Sequence, residues 1–477
     1  MSKKTTFFDY EPVTRGRRQE LDENVDSFVS SDRQLEFTNA AATQVENKTD
    51  AEAVKERWIF KSGHTLSFLG LFIFSFLLFF RPYELTSFSW LSSSALYTAV
   101  ITIAVFVPTQ LAVENRITIR TREVNRALLL LLLAGLSVVF ASDRSVAWKA
   151  LVEYAKVIVM FVVMVNVLRS GNRLKALLWL VLIASVILSL AAINDYRLGI
   201  LASNGKRIAG AIGGLFENPN DLALHLVTFF PIVIGLAMGS KNPLGRMFYF
   251  GTSLILLAGI VVTFSRGGFL GLICVFAALV WKLGKKHRTT IAIATILLVG
   301  VFLLLAPGAY RKRLGTTEDD SAQARTAELK RSIYLSVRHP LVGIGLGNFV
   351  LYSDREHATH NAYTQVSSEM GLTAAVIYVL FLVAALKRAR KAADLAAKEK
   401  RNKWLYYLSI GLEASIIGYM VTSFFASVAL LWYIYYIAAY IICVDRLLQA
   451  SSKPPGDEVA ELHPSVYLQQ NVAAKLG

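Results

Sequence analysis

Residues 174–193 read LKALLWLVLIASVILSLAAI, twenty positions with a single charged side chain, Lys175, near one edge. At about 1.5 Å per residue, a helix of this length reaches about 30 Å, the thickness of a bilayer's hydrocarbon core. The same kind of block recurs along the chain. Apolar residues make up 54% of the 477 and charged residues 18%, and the apolar ones are concentrated in such blocks rather than dispersed. The reading is an all-α, polytopic transmembrane helical bundle of about 12 spans.

The expected spans are 66–80, 88–108, 127–141, 150–168, 174–193, 222–239, 247–264, 268–281, 289–306, 368–386, 405–424 and 427–445. The domain plan follows from them. Residues 1–63 form a cytosolic tail of mixed charge, poor in large apolar side chains and expected to be disordered. Residues 64–306 carry the first nine helices and 307–367 a polar loop. Residues 368–447 carry the last three helices and 448–477 a second cytosolic tail. No cleavable secretory leader is expected ahead of the first span, so insertion should rely on the spans themselves. Cys274 and Cys443 both lie in apolar segments and suggest neither a disulfide framework nor a metal site.

With the amino terminus inside, Lys and Arg gather in the loops that face the cytoplasm, among them Arg116, Arg120, Arg169, Arg173, Lys285 and Lys286. The short outer loops are poorer in them. This bias is the positive-inside rule, and it accounts for the formal charge of +16 without invoking nucleic acid. It also puts the loop 307–367, expected to contain short helices, on the extracytoplasmic side. About sixty polar residues are far more than a connection needs, so chemistry is expected there.

Three outer segments hold most of the polar character. In the first, Asn218-Pro219-Asn220 is a helix-entry signal, with Asn as cap and Pro in the first turn. Upstream, Lys206 and Arg207 suit either a substrate anion or a lipid headgroup. The second is Ser265-Arg266-Gly267-Gly268, a hairpin so short that Arg266 sits between two spans. An arginine at that depth either snorkels or pairs with an anion, and a guanidinium fork matches phosphate. In the third, residues 321–338 have helical apolar spacing interspersed with Arg325, Lys330, Arg331 and Arg338, which suits an amphipathic helix at the outer interface. His339-Pro340 ends it.

The run Gly343-Ile344-Gly345-Leu346-Gly347 lacks the strand, helix and lysine of a phosphate loop and reads as a turn or a close-packing segment. His357 and His360, three apart, permit metal binding, but no further ligands stand at metal spacing, so no metal and no cofactor are expected. His360 precedes an apolar helix expected to start near Ser368, where a neutral imidazole can take a hydroxyl proton. Glu369 enters that helix and either orients a basic group or favours the helix amino terminus.

Taken in order, Arg207, Asn218-Pro219-Asn220, Ser265-Arg266-Gly267-Gly268, the run from His339 to Phe349, and His360-Asn361-Ala362-Tyr363 leading to Glu369-Met370-Gly371 resemble the motifs of the O-antigen ligase and O-antigen polymerase superfamily. The resemblance covers roughly residues 200–375. It implies a metal-independent membrane glycosyltransferase of the bacterial inner membrane with its active site facing the periplasm. Such an enzyme moves a glycan from a polyprenyl (undecaprenyl) diphosphate carrier to a hydroxyl of a glycan or lipid A-core acceptor. The membrane lipids are its surroundings and nucleic acid has no part.

By the same resemblance Arg266 and His360 are the catalytic residues, Arg266 on the diphosphate and His360 on the acceptor hydroxyl. Lys206, Arg207, Arg325, Arg338, His357, Asn361 and Glu369 are expected to bind substrate. The sixty-residue amino-terminal tail departs from the family pattern. Polymerase activity is the alternative within the superfamily, and a twelve-span transporter of an anionic glycolipid is the alternative outside it.

Overall fold

The computed structural model describes residues 64–82, 93–200, 218–283, 320–353, 358–399 and 402–452, together with isolated positions in 289–300. Among the described residues there are thirteen α-helices and no strand. In chain order they are α1 Thr65–Phe80, α2 Ser94–Glu114, α3 Arg122–Val139, α4 Arg144–Val167, α5 Gly171–Leu198, α6 Pro219–Gly239 and α7 Pro243–Val262. They continue with α8 Arg266–Lys282, α9 Asp320–Arg338, α10 Ala362–Met370, α11 Leu372–Glu399, α12 Lys403–Thr422 and α13 Trp432–Ser452.

Seven of these are long and apolar enough to cross a membrane: α2, α4, α5, α6, α7, α11 and α12, while α1 is shorter, with 16 residues. The expected ninth span lies almost wholly outside the described residues, as do both tails.

One expectation is corrected. The helix placed at 368–386 is two helices, α10 and α11, separated by Gly371 at φ +89°. A Cβ at Gly371 would lie 2.4 Å from the carbonyl oxygen of Leu341, so the loop preceding α10 folds back against this break. His360 therefore stands before the short α10 rather than before a span.

Buried side chains on α6 face α7, α8 and α12, making it the centre of the bundle. Its approach to α12 is close because both helices carry glycine where backbones meet. A Cβ at Gly235 would fall 2.4 Å from Tyr407 O, and one at Gly411 would fall 2.6 Å from Pro231 O. Small residues at such crossings favour dispersion contact between helices in lipid, where the hydrophobic effect gives little drive for association.

Charged partners collect at the end where α3 begins. Arg388 of α11 grips Glu123 with two hydrogen bonds of 2.9 Å and reaches Asp445 of α13 at 2.6 Å. Glu413 receives Arg390 at 2.9 Å and Lys282 at 3.0 Å, and Arg169 meets Glu114 at 2.8 Å. Arg388 lies sixteen residues along α11 from Leu372, about 24 Å at the rise of a helix, so the motifs singled out in the sequence gather at the other end.

Candidate active site

Two helix amino termini meet at that other end. The side chain of Asn218 accepts the N–H of Asn220 at 2.9 Å with Pro219 in the first turn, the capping arrangement its sequence implies. Ser265 caps α8 in the same way, accepting Gly268 N–H at 3.2 Å. The two caps are joined directly, because Ser265 Oγ donates to Asn220 Oδ1 at 2.9 Å, and both side chains are buried. Arg266 is the first residue of α8 and half-buried. Its guanidinium thus adds a full positive charge to the partial positive charge at that helix end, an arrangement that suits phosphate.

The His360 turn is built with equal care. Asn361 caps α10, its Oδ1 accepting the N–H groups of Tyr363 at 2.9 Å and Thr364 at 3.0 Å. His360 has φ +53°, in the left-handed region that few non-glycine residues occupy, and so does Phe264, just ahead of Ser265. Such strain, on the order of 1–3 kcal/mol per residue, persists only where neighbouring contacts hold it. At His360 the contact is Ser427, whose Oγ accepts the His360 N–H at 2.8 Å and lies 2.9 Å from Thr359 Oγ1.

The segment between α12 and α13 ties these features together. A Cβ at Gly267 would lie 2.6 Å from Phe425 Cβ, so the first turn of α8 sits on Phe425. Ser427, two residues on, holds His360. Two residues span at most about 7 Å of chain, so the short strap 425–427 anchors the Arg266 turn and the His360 turn side by side. Tyr363 Oη adds a further tie, donating to Met420 O at 2.8 Å.

The glycine run is a backbone clasp. Ile344 N–H bonds Ser368 O at 2.9 Å, Gly345 N–H bonds Glu369 O at 3.1 Å, and Leu372 N–H bonds Pro340 O at 2.8 Å. The first two bonds satisfy carbonyls at the carboxyl end of α10 that have no partner within the helix, and the third ties the start of α11 to Pro340. The clasp also reaches the α3–α4 turn, through Ser142 N–H to Ile344 O at 3.1 Å and Asp143 N–H to Asn348 Oδ1 at 3.0 Å. Glu369 is buried under it, Oε2 accepting Gly347 N–H at 3.0 Å. Burial pushes its carboxyl up to about 7, with the amides of Gly347 and Phe349 pulling the other way.

Of the expected site residues, Arg266, His360 and Asn361 are brought together at this end. Asn361 holds the turn through its cap, and Glu369 supports the clasp from the interior. Arg338 is exposed at the end of α9, donating to Tyr334 Oη at 2.7 Å, and Arg325 is half-buried on the same helix. Lys206, Arg207 and His357 lie outside the described residues. Among the described residues no group of three His, Cys, Asp or Glu is placed to hold a metal ion.

Ser427, Phe425 and Asn348 were not singled out by sequence reasoning. Asn348 follows the glycine run and had a faint signal there. Phe425 had none, standing in the short gap between the expected spans 405–424 and 427–445, and Ser427 had none as the first residue of the second of them.

Residues 251–379 match the family model described as O-antigen ligase, a segment that runs from α7 into α11 and contains Arg266, His360 and Glu369. A comparison with curated proteins gives no match. In the segment 251–379 the chain is therefore similar to the O-antigen ligase family.

Proposed function

We propose that the protein transfers a glycan from an undecaprenyl diphosphate carrier to the hydroxyl of a lipid A-core or glycan acceptor, as a ligase at the periplasmic face of the inner membrane. The observation that carries the reading is the strap 425–427, which holds the turn bearing Arg266 and the turn bearing His360 next to each other. The similarity of residues 251–379 to the O-antigen ligase family supports the chemical sense of that pairing.

The acceptor oxygen attacks the anomeric carbon while the bond from that carbon to the diphosphate oxygen breaks. Charge grows on the departing diphosphate, where Arg266 and the amino terminus of α8 stabilise it. A preorganised donor of this kind contributes about 10²–10³ in rate. His360 takes the acceptor proton, a contribution of about 10²–10⁴. Arg207 is a second diphosphate ligand, Lys206, Arg325 and Arg338 are further anion contacts, and His357 is a neighbour of the base.

The test uses protein reconstituted in vesicles with an undecaprenyl-diphosphate oligosaccharide and, separately, lipid A-core and free glycan acceptors. Arg266→Ala and His360→Ala should each lose about 10²-fold or more of transfer while still extracting as folded protein. Full transfer by both variants would sink the assignment. Extension of the donor glycan without use of lipid A-core would make the protein a polymerase, and movement of intact donor without a new glycosidic bond would make it a transporter.

A further inference from the structure

Helix α9 is oriented in an unusual way. Its side toward the protein is lined by Glu328, Ser332, Leu335 and Ser336, all buried and mostly polar. Glu328 accepts from Ser353 Oγ at 2.8 Å, and Ser336 Oγ lies 2.7 Å from Ser367 Oγ. Leu329, Ile333 and Val337, spaced four apart on one stripe, face outward, and Val337 is 71% exposed. A helix in water would turn these two sides the other way, since burying apolar area is what stabilises its docking.

The outward stripe does not end with the helix. Leu341, 76% exposed, follows Arg338-His339-Pro340, and its backbone lies against Gly371 at the head of α11. The bond from Leu372 N–H to Pro340 O fixes that register. Leu372 and Val376 then carry the exposed apolar surface on along α11, a helix long and apolar enough to cross a membrane. Beside the stripe, Lys330 and Arg338 are exposed on the same helix, placed for anionic headgroups.

We infer that α9 lies in the outer interface of the bilayer, with Leu329, Ile333, Val337 and Leu341 among the acyl chains and Lys330 and Arg338 at the phosphates. The occupant of this face is lipid. The inverted burial shows that the protein interior does not cover the stripe, and continuity with α11 carries it into a lipid-facing surface. Moored in this way, the polar segment ahead of the clasp stays at the depth where a lipid-borne substrate presents its headgroup. The inference stands apart from the transfer reaction, and its test does not use activity.

The full chain carrying Cys274→Ala, with buried Cys443 retained, is spin-labelled in turn at Ile333→Cys, Val337→Cys and Ala327→Cys. It is reconstituted in vesicles of phosphatidylethanolamine and phosphatidylglycerol with no other protein. Accessibility of each nitroxide to oxygen, which concentrates in acyl chains, is compared with accessibility to a water-soluble nickel chelate. The expected result is an oxygen-to-nickel ratio severalfold higher at 333 and 337 than at 327, on the same helix but away from the stripe. High nickel accessibility at 333 and 337 would place the stripe in water and overturn the inference. Low accessibility to both reagents would mean that another protein surface covers it, which overturns it equally.

Discussion

Ser427 Oγ accepts the backbone N–H of His360 at 2.8 Å, a bond between residues 67 apart in the chain. It holds a left-handed turn in which the proposed base is fixed by tertiary contact rather than by local propensity. Ser427→Ala removes this acceptor and the partner of Thr359 together, and the loss should lower stability by about 1–3 kcal/mol. Because His360 keeps its imidazole, transfer should fall about ten- to a hundredfold through kcat, with the shape of the pH profile unchanged. A steady-state pH series on wild type and variant checks both statements, and an altered profile would mean that Ser427 acts on the proton itself.

The bond joining Ser265 to Asn220 serves two helices at once. Ser265→Ala should uncap α8 and leave a buried amide oxygen without its donor, lowering stability by roughly 1–2 kcal/mol. Ser265→Thr keeps a hydroxyl and should lose less than half as much. Thermal unfolding in detergent distinguishes them.

At Gly343, φ is +69° and an added Cβ would lie 2.3 Å from the carbonyl carbon of Glu369. Both the strain and the clash are with backbone, which cannot give way cheaply. Gly343→Ala should therefore abolish most folded yield, whereas Gly135→Ala, with nothing within 4 Å of its Cβ, should be tolerated. Size-exclusion profiles of the extracted variants provide the readout.

The carboxyl of Glu369, held near 7 by burial, binds a proton over a range where the unfolded chain has lost it. Its contribution to stability is fully present below the ordinary value of about 4.5 and is lost as pH rises through about 7, with a span on the order of 3 kcal/mol. Glu369→Gln should flatten the stability profile between those limits, because the amide can still accept Gly347 N–H. Unfolding temperatures recorded across that pH range would show the slope in wild type and its absence in the variant.

The Arg388 network gives the largest expected effect away from the site. Arg388→Met would strand Glu123 and Asp445, which are 2% and 1% exposed, at a loss of roughly 3–5 kcal/mol. Neutralising both partners in the same chain, with Glu123→Gln and Asp445→Asn, should restore much of it. Half-lives of the extracted protein at elevated temperature measure the difference.

The helices were largely legible because their signals are local. An apolar run of about twenty residues becomes a span whatever surrounds it. The cap at Asn218 and the stop at His339-Pro340 act within one turn, and the helices begin and end where those residues stand. The break at Gly371 was misread as part of a span because hydropathy averages over a single glycine. Only the backbone of Leu341 pressing on that glycine explains why two helices meet there.

By itself the sequence determined that the described residues are helical, with several membrane-length helices, and that the segment 251–379 resembles the O-antigen ligase family, since each of these rests on composition or on neighbours within a few positions. The tertiary structure alone decided that Ser265 meets Asn220, that Phe425 and Ser427 seat the Arg266 and His360 turns side by side, and that Glu369 is buried beneath a glycine clasp. The physical reason is range. Such contacts join residues tens to hundreds of positions apart, through serine, phenylalanine and backbone atoms that carry no mark of their partner until the helices pack.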